Sequence, residues 1–221
     1  MKAVLVLSGE VAGTALLRRH LDTADLVIAA DGGAARLQAL GRLPDVLVGD
    51  LDSLPASALA TLQEANVELV THPNPEQQTD GMVGLLLARQ RGADEIVMVG
   101  VQSADRLDHG FANLMYLSAQ ELHDVRITVV SDWSEGVLLR GNGAPSVRFQ
   151  GAPGDYVSLV PISDEVCGVD TIGLRYPLRA AALARGASSA LSNELVGEEG
   201  GFAIGEGVAF AFHHFRQGQL P

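Results

Sequence analysis

Cysteine, lysine and tryptophan each occur once, as Cys167, Lys2 and Trp133, and aromatic residues fill only 5% of the 221 positions. A single cysteine excludes an internal disulfide framework and a multi-cysteine metal site. Lying among apolar residues in "DEVCGVDTIGL", it reads as a small buried hydrophobe. With one lysine, 14 of the 15 basic residues are arginines, and 27 acidic residues bring the formal net charge to −12. That balance argues against a nucleic acid polymer as partner, because a phosphate backbone demands basic surface. A phosphorylated small molecule would have to find its countercharge in arginine, backbone amides or a metal ion. No apolar run approaches the ~20 residues of a membrane span, so no membrane partner is expected. The opening "MKAVLVLSGE" has one basic and six apolar residues before Ser8, too few for a signal peptide. It is expected to form a first strand, in a cytoplasmic protein.

What is present divides into two textures. Up to residue 131, apolar runs ("AVLVLS", "DLVIAAD", "DVLVGD", "VELVT", "EIVMVG", "RITVVSD") alternate with helix-like stretches such as "TALLRRHL" and "TDGMVGLLLARQRG". Nearly continuous Val/Ile/Leu runs suit parallel strands buried on both faces, and alternating β and α units imply a doubly wound, mainly parallel sheet. Beyond Trp133, glycine and proline become frequent and short β-like runs recur, from "GVLLRG" to "VAFAFHHF". That pattern predicts an antiparallel β-sandwich, with "PLRAAALARG" either helical or a loop. The expected division is an α/β domain over 1–133 and a β-sandwich over 134–221.

In open α/β sheets, ligands bind beyond the carboxyl ends of the strands. Asp31 follows "LVIAA", Asp50 and Asp52 follow "VLVG", Asp80 lies just beyond "VELVT", and Asp105, Arg106, Asp108 and His109 follow "IVMVG". Gathered carboxylates repel one another unless a cation sits among them. Oxygen ligands without cysteine or paired histidine favour Mg²⁺ over zinc. His213 and His214, adjacent on a predicted strand, point to opposite faces and suit no joint chelation. Each acidic position also has an ordinary explanation. Thr79 and Asp108 suit helix caps, Asp52-Ser53 before Pro55 suits a turn, and Asp31-Gly32-Gly33 suits a tight turn with glycines at positive φ. Their coincidence at one sheet edge favours metal-assisted chemistry. A P-loop is absent, since "GEVAGTALL" lacks the lysine and the spacing, and Gly9 and Gly13 do not match a dinucleotide fingerprint.

The motifs "ADGGAARL", "GDLDS", "TD" before a helix, "DRLDHGFANL", "TIGLRYPL" and "SNEL", in this order, resemble those of thiamine pyrophosphokinases along the whole chain. The resemblance implies an α/β domain followed by a β-sandwich, in homodimers with active sites between subunits. It implies transfer of a diphosphoryl group from ATP to the hydroxyl of thiamine, with Mg²⁺, giving thiamine diphosphate and AMP. Asp50, Asp52 and Asp80 match the metal-binding aspartates, and Asp31, Gly32 and Gly33 would line the nucleotide side. Arg106 would neutralise phosphate charge. Asp108, Ser192 and Asn193 would face thiamine. Two departures stand out: Glu76 and Gln77 occupy places where lysine and aspartate are usual, and Ala104 and Asp105 replace a glycine pair. Asp105 is expected to supply the carboxylate missing at Gln77. Two other readings keep the metal cluster or the fold: an acceptor that is another heterocyclic alcohol such as a pterin, or a non-catalytic thiamine-binding homologue.

Overall fold

The computed structural model describes residues 1–12, 15–49, 61–62, 64–71, 78–102, 106–142 and 145–216, and the chain divides into two compact units, Met1–Asp132 and Trp133–Pro221. Among the described residues, no helix is long and apolar enough to cross a membrane.

In the first unit all six expected apolar runs are strands: β1 (Lys2–Val6), β2 (Leu26–Ala30), β3 (Val46–Val48), β4 (Glu68–Val70), β5 (Glu95–Val99) and β6 (Arg126–Val130). Every pairing among them is parallel, in the order β4-β3-β2-β1-β5-β6. The central strands are apolar throughout because they are covered on both faces: Val4, Leu5, Ile28, Leu47, Ile96 and Met98 are wholly buried. Four helices are described in this unit: α1 (Ala15–Asp22), α2 (Gly33–Ala39), α3 (Asp80–Gln90) and α4 (Leu107–Tyr116). Helix α3 lies close on β1, where a Cβ at Gly84 would come within 2.6 Å of Leu5 Cδ1.

The second unit is antiparallel throughout. One layer runs β7 (Ser134–Asn142), β14 (Glu206–His214), β9 (Tyr156–Pro161) and β12 (Asn193–Glu194). The other runs β8 (Ser146–Gln150), β13 (Glu199–Ala203), β10 (Glu165–Ile172) and β11 (Ala181–Ala184). Val137, Leu139, Val157, Leu159, Ala209 and Ala211 from the first layer share one core with Phe149, Val166, Val169, Leu183 and Phe202 from the second. This is the α/β-then-sandwich class expected.

The stretch "PLRAAALARG" is not helical: residues 177–180 and 185–186 are loop, one of the two expected outcomes, and the middle is a short strand. Its Ala181–Ala184 pairs with β10, and Leu183 is buried opposite Val166, so edge pairing and one well-buried leucine override alanine's helix propensity. Cys167 is half-buried rather than core, its thiol donating to the Glu165 carboxylate at 3.2 Å.

Candidate active site

The strand order reverses at β1. From there the chain runs outward through β2, β3 and β4 on one side and continues through β5 and β6 on the other. Such a switch point opens a crevice at the carboxyl ends of the strands. The loops that leave β1 and β5 are stitched together, with Leu7 N–H donating to Val99 O at 2.9 Å and Gly9 N–H to Gly100 O at 3.0 Å. Their approach depends on glycine. A Cβ at Gly9 would lie 2.1 Å from Gln102 O, and one at Gly100 (φ +69°) 2.6 Å from Leu7 O.

Beside this seam lies a cavity of about 270 Å³, lined by Ser8, Asp31, Gln78, Asp80, His109 and Asn113 among others. Ser8 and Asp31 follow strand ends, Gln78, Asp80 and His109 lie at or near the start of α3 and α4, and Asn113 comes from further along α4. Asp31 leaves β2 with φ +47°, its N–H bonded to Val48 O at 2.9 Å. The positive φ therefore falls on the aspartate, not on the glycines expected to need it: Gly32, with φ −59°, occupies the cap position of α2. Gly33 has a different reason to be glycine, since a Cβ there would meet Val6 O at 2.0 Å. It lets α2 start directly against β1.

Asp80 opens α3 behind Thr79, which caps that helix as expected, accepting from Met82 N–H at 3.3 Å while donating to Tyr116 OH at 3.0 Å. Asn113 on α4 donates to Val101 O at 3.1 Å. Between the two aspartates sits Gly49, where a Cβ would be 3.8 Å from both Asp31 Cα and Asp80 Cγ. Asp31 and Asp80, far apart in sequence, thus converge around the residue that precedes Asp50. Asp50 and Asp52 themselves, with Glu76, Gln77, Ala104 and Asp105, lie outside the described residues. The described donors at the cavity are carboxylate and amide oxygens with one lone histidine and no thiol, a set that fits a hard cation such as Mg²⁺ better than zinc.

Arg106 and Asp108 stand next to this cavity in sequence but do not line it. They hold each other in a bidentate pair, Nε–Oδ1 at 3.1 Å and Nη2–Oδ2 at 2.9 Å, with both side chains more than half exposed. The hydrogen bonds from Arg106 pull the Asp108 carboxyl down to about 2, so it is ionised at any physiological pH. Asp108 does not cap α4, whose cap position is Arg106 and carries no side-chain cap. Arg36 is a cation that the sequence did not single out. From α2 its Nε donates to Ser8 O at 3.1 Å, which brings a guanidinium beside the cavity's rim. The signal was there: Arg36 belongs to the same "ADGGAARL" run as Asp31, one helical turn further on.

In the second unit Ser192 and Asn193 play different parts. Ser192 is exposed, with φ +53° and its N–H donating to Ser158 Oγ at 3.0 Å. Asn193 is 3% exposed. Its Oδ1 accepts from the N–H groups of Tyr176 and Glu194, both at 2.9 Å, and its Nδ2 donates to Tyr176 O at 2.7 Å. The amide is spent within the protein, fixing the backbone of Tyr176, whose ring stays 54% exposed with Arg175 at 5.7 Å from its centre. Tyr176 sits in "TIGLRYPL", an exposed aromatic that the sequence did not single out.

Comparison with known proteins agrees along most of the chain. Residues 17–129 match the model for the thiamin pyrophosphokinase catalytic domain, and residues 146–208 the one for the thiamin pyrophosphokinase vitamin B1 binding domain. A thiamine pyrophosphokinase of Bacillus subtilis is 24% identical over 192 residues, spanning 87% of this chain and 88% of its own. Among solved structures, a thiamine pyrophosphokinase from Bacillus subtilis superposes with a TM-score of 0.85 at 21% identity, over 97% of this chain and 99% of the other. A thiamin pyrophosphokinase from Geobacillus thermodenitrificans gives a TM-score of 0.82 at 27% identity, over the full length of both chains.

Proposed function

The chain belongs to the thiamin pyrophosphokinase family, and from that membership we propose that it transfers the β,γ-diphosphoryl group of ATP to the hydroxyl of thiamine. The hydroxyl gives up its proton to water as its oxygen forms a bond to Pβ, the bond between Pβ and the α,β-bridging oxygen breaks, and AMP leaves with those electrons. The observation that supports this most is the convergence of Asp31 and Asp80 on one cavity around Gly49, immediately before Asp50.

In this reading residues 1–133, close to the extent of the first unit, form the ATP and Mg²⁺ domain, and 134–221 the thiamine-binding domain. Asp50, Asp52 and Asp80 would hold Mg²⁺, with Asp31 on the same side and the backbone at Gly32 and Gly33 lining the nucleotide. Mg²⁺ supplies charge neutralisation along the triphosphate, which matters because phosphoryl transfer passes through a loose transition state governed by positioning and electrostatics. Arg106 leaves its pair with Asp108 to meet phosphate oxygens, and Arg36 adds a second guanidinium from the opposite side of the rim, in a chain with a single lysine. Asp108 on the first unit would attract the thiazolium charge, and Ser192 with Tyr176 on the second would meet the flat rings of thiamine. Asn193 serves thiamine indirectly, by holding Tyr176. A cytoplasmic homodimer completes the reading.

AMP formation from ATP with thiamine, with a hydroxymethyl pterin and with no acceptor tests it. AMP in step with thiamine alone is the expected result. AMP only with the pterin would assign another acceptor, and thiamine binding without AMP would make the protein a binder.

A further inference from the structure

Beneath the Ser192–Asn193 segment lies a buried charged cluster that none of the chemistry above uses. His213, on β14, is fully buried; its Nε2 lies 3.1 Å from Asp155 Oδ2 and its Nδ1 3.4 Å from Glu135 Oε1 on β7. Asp155 is 1% exposed and also accepts from the N–H groups of Ala152 at 2.9 Å and Arg216 at 3.1 Å. Burial pushes its carboxyl up, but the two amide donors together with His213 outweigh that and hold it below the usual carboxylate range. Phe215 and Phe149 enclose the imidazole, with ring centres 4.4 and 5.5 Å away. Residue 151 must be glycine for the pair to close, since a Cβ there would sit 2.6 Å from both Asp155 Oδ2 and His213 Nε2. Polar groups placed this deep are costly unless fully partnered, and these are.

The cluster is tied to the thiamine side by register. His213 pairs with Val157, and Val157 pairs with Asn193, so the three lie in one row across β14, β9 and β12, on the same face. Asp155, just before β9, accepts through its backbone carbonyl from Leu195 N–H at 2.9 Å, while Gly154 N–H donates to Leu195 O at 2.8 Å. Both ends of the "SNEL" run are therefore anchored on the strand whose start Asp155 and His213 fix.

We infer that His213 and Asp155 are positioning residues that set the Ser192–Asn193 segment, and through it Tyr176, in the geometry that receives thiamine. The inference rests on the reading of that segment as the thiamine side. In the whole chain, His213→Leu is expected to raise the KM for thiamine about tenfold, by removing the one side-chain donor to Asp155 and leaving only the two backbone ones, with the KM for ATP and kcat within roughly twofold of wild type. His213→Gln, which can still donate to Asp155, should restore most of the loss. If the KM values for ATP and thiamine rise together, or if the glutamine variant is as impaired as the leucine one, the positioning role is overturned. Amide hydrogen exchange at Gly154 and Leu195, compared between wild type and Gly151→Ala, reads the same coupling without turnover and should quicken on the order of tenfold. Unchanged exchange overturns the positioning role. Quickened exchange with an unaltered KM for thiamine overturns instead the assignment of this segment to thiamine.

Discussion

Replacing Asp80 by Asn should lower kcat by a hundredfold or more, roughly what is lost when one preorganised electrostatic contact to a developing charge is removed. The substitution is conservative in shape. Thr79 continues to cap α3, and the charge of Asp80 at the first turn favours the helix by about 0.3–1 kcal/mol. Stability should therefore barely change while the apparent requirement for Mg²⁺ rises. Asp31→Asn should act in the same direction, because Asp31 and Asp80 converge on one cavity around Gly49. Steady-state rates across a Mg²⁺ titration, with thermal unfolding as control, separate a catalytic loss from a folding defect. A variant whose activity and Mg²⁺ response match wild type would remove Asp80 from the chemistry.

Asn193→Ala should damage both stability and thiamine binding, for one reason. The amide makes three hydrogen bonds in a site 3% exposed, two of them closing on the backbone of Tyr176. Deleting it leaves those groups short of partners, at a cost of about 2–3 kcal/mol. In a chain of this size that lowers Tm by roughly 2–4 °C for each kcal/mol. Tyr176→Ala provides the contrast. Its ring is exposed, so stability should hold while the KM for thiamine rises several-fold, the equivalent of about 1 kcal/mol of lost stacking. If Asn193→Ala lowers Tm and leaves the KM for thiamine unchanged, Asn193 is structural only.

The first unit was readable because parallel strands covered on both faces leave a nearly continuous apolar signature, and all six runs became strands. Asp31 and Asp80 were readable by position, since topology alone sends the carboxyl ends of β2 and β4 to one rim. Side-chain partners were not readable. Nothing in "SNEL" says that Asn193 turns inward while Ser192 stays out, because that depends on Tyr176, 17 residues away. The Asp155–His213 pair joins residues 58 positions apart, and local pattern carries no trace of it. The strand at Ala181–Ala184 was missed for the same reason: alanine favours helix most of all residues, but local propensity is a weak prior and pairing to β10 decided the outcome. At Asp31 the turn was foreseen but its strain was assigned to the wrong residue, for an aspartate can enter the left-handed region that glycine visits freely.

The whole account turns on a divalent cation held with the nucleotide at the carboxyl ends of the parallel strands. Crystals grown with Mn²⁺ and a non-hydrolysable ATP analogue test this directly, because manganese is located by its anomalous scattering. The expected result is a peak within about 2.0–2.3 Å of an aspartate oxygen at the Asp31–Asp80 cavity, bridged to the triphosphate. Nucleotide bound with no metal at that cavity, or metal and nucleotide together at another surface, would contradict it.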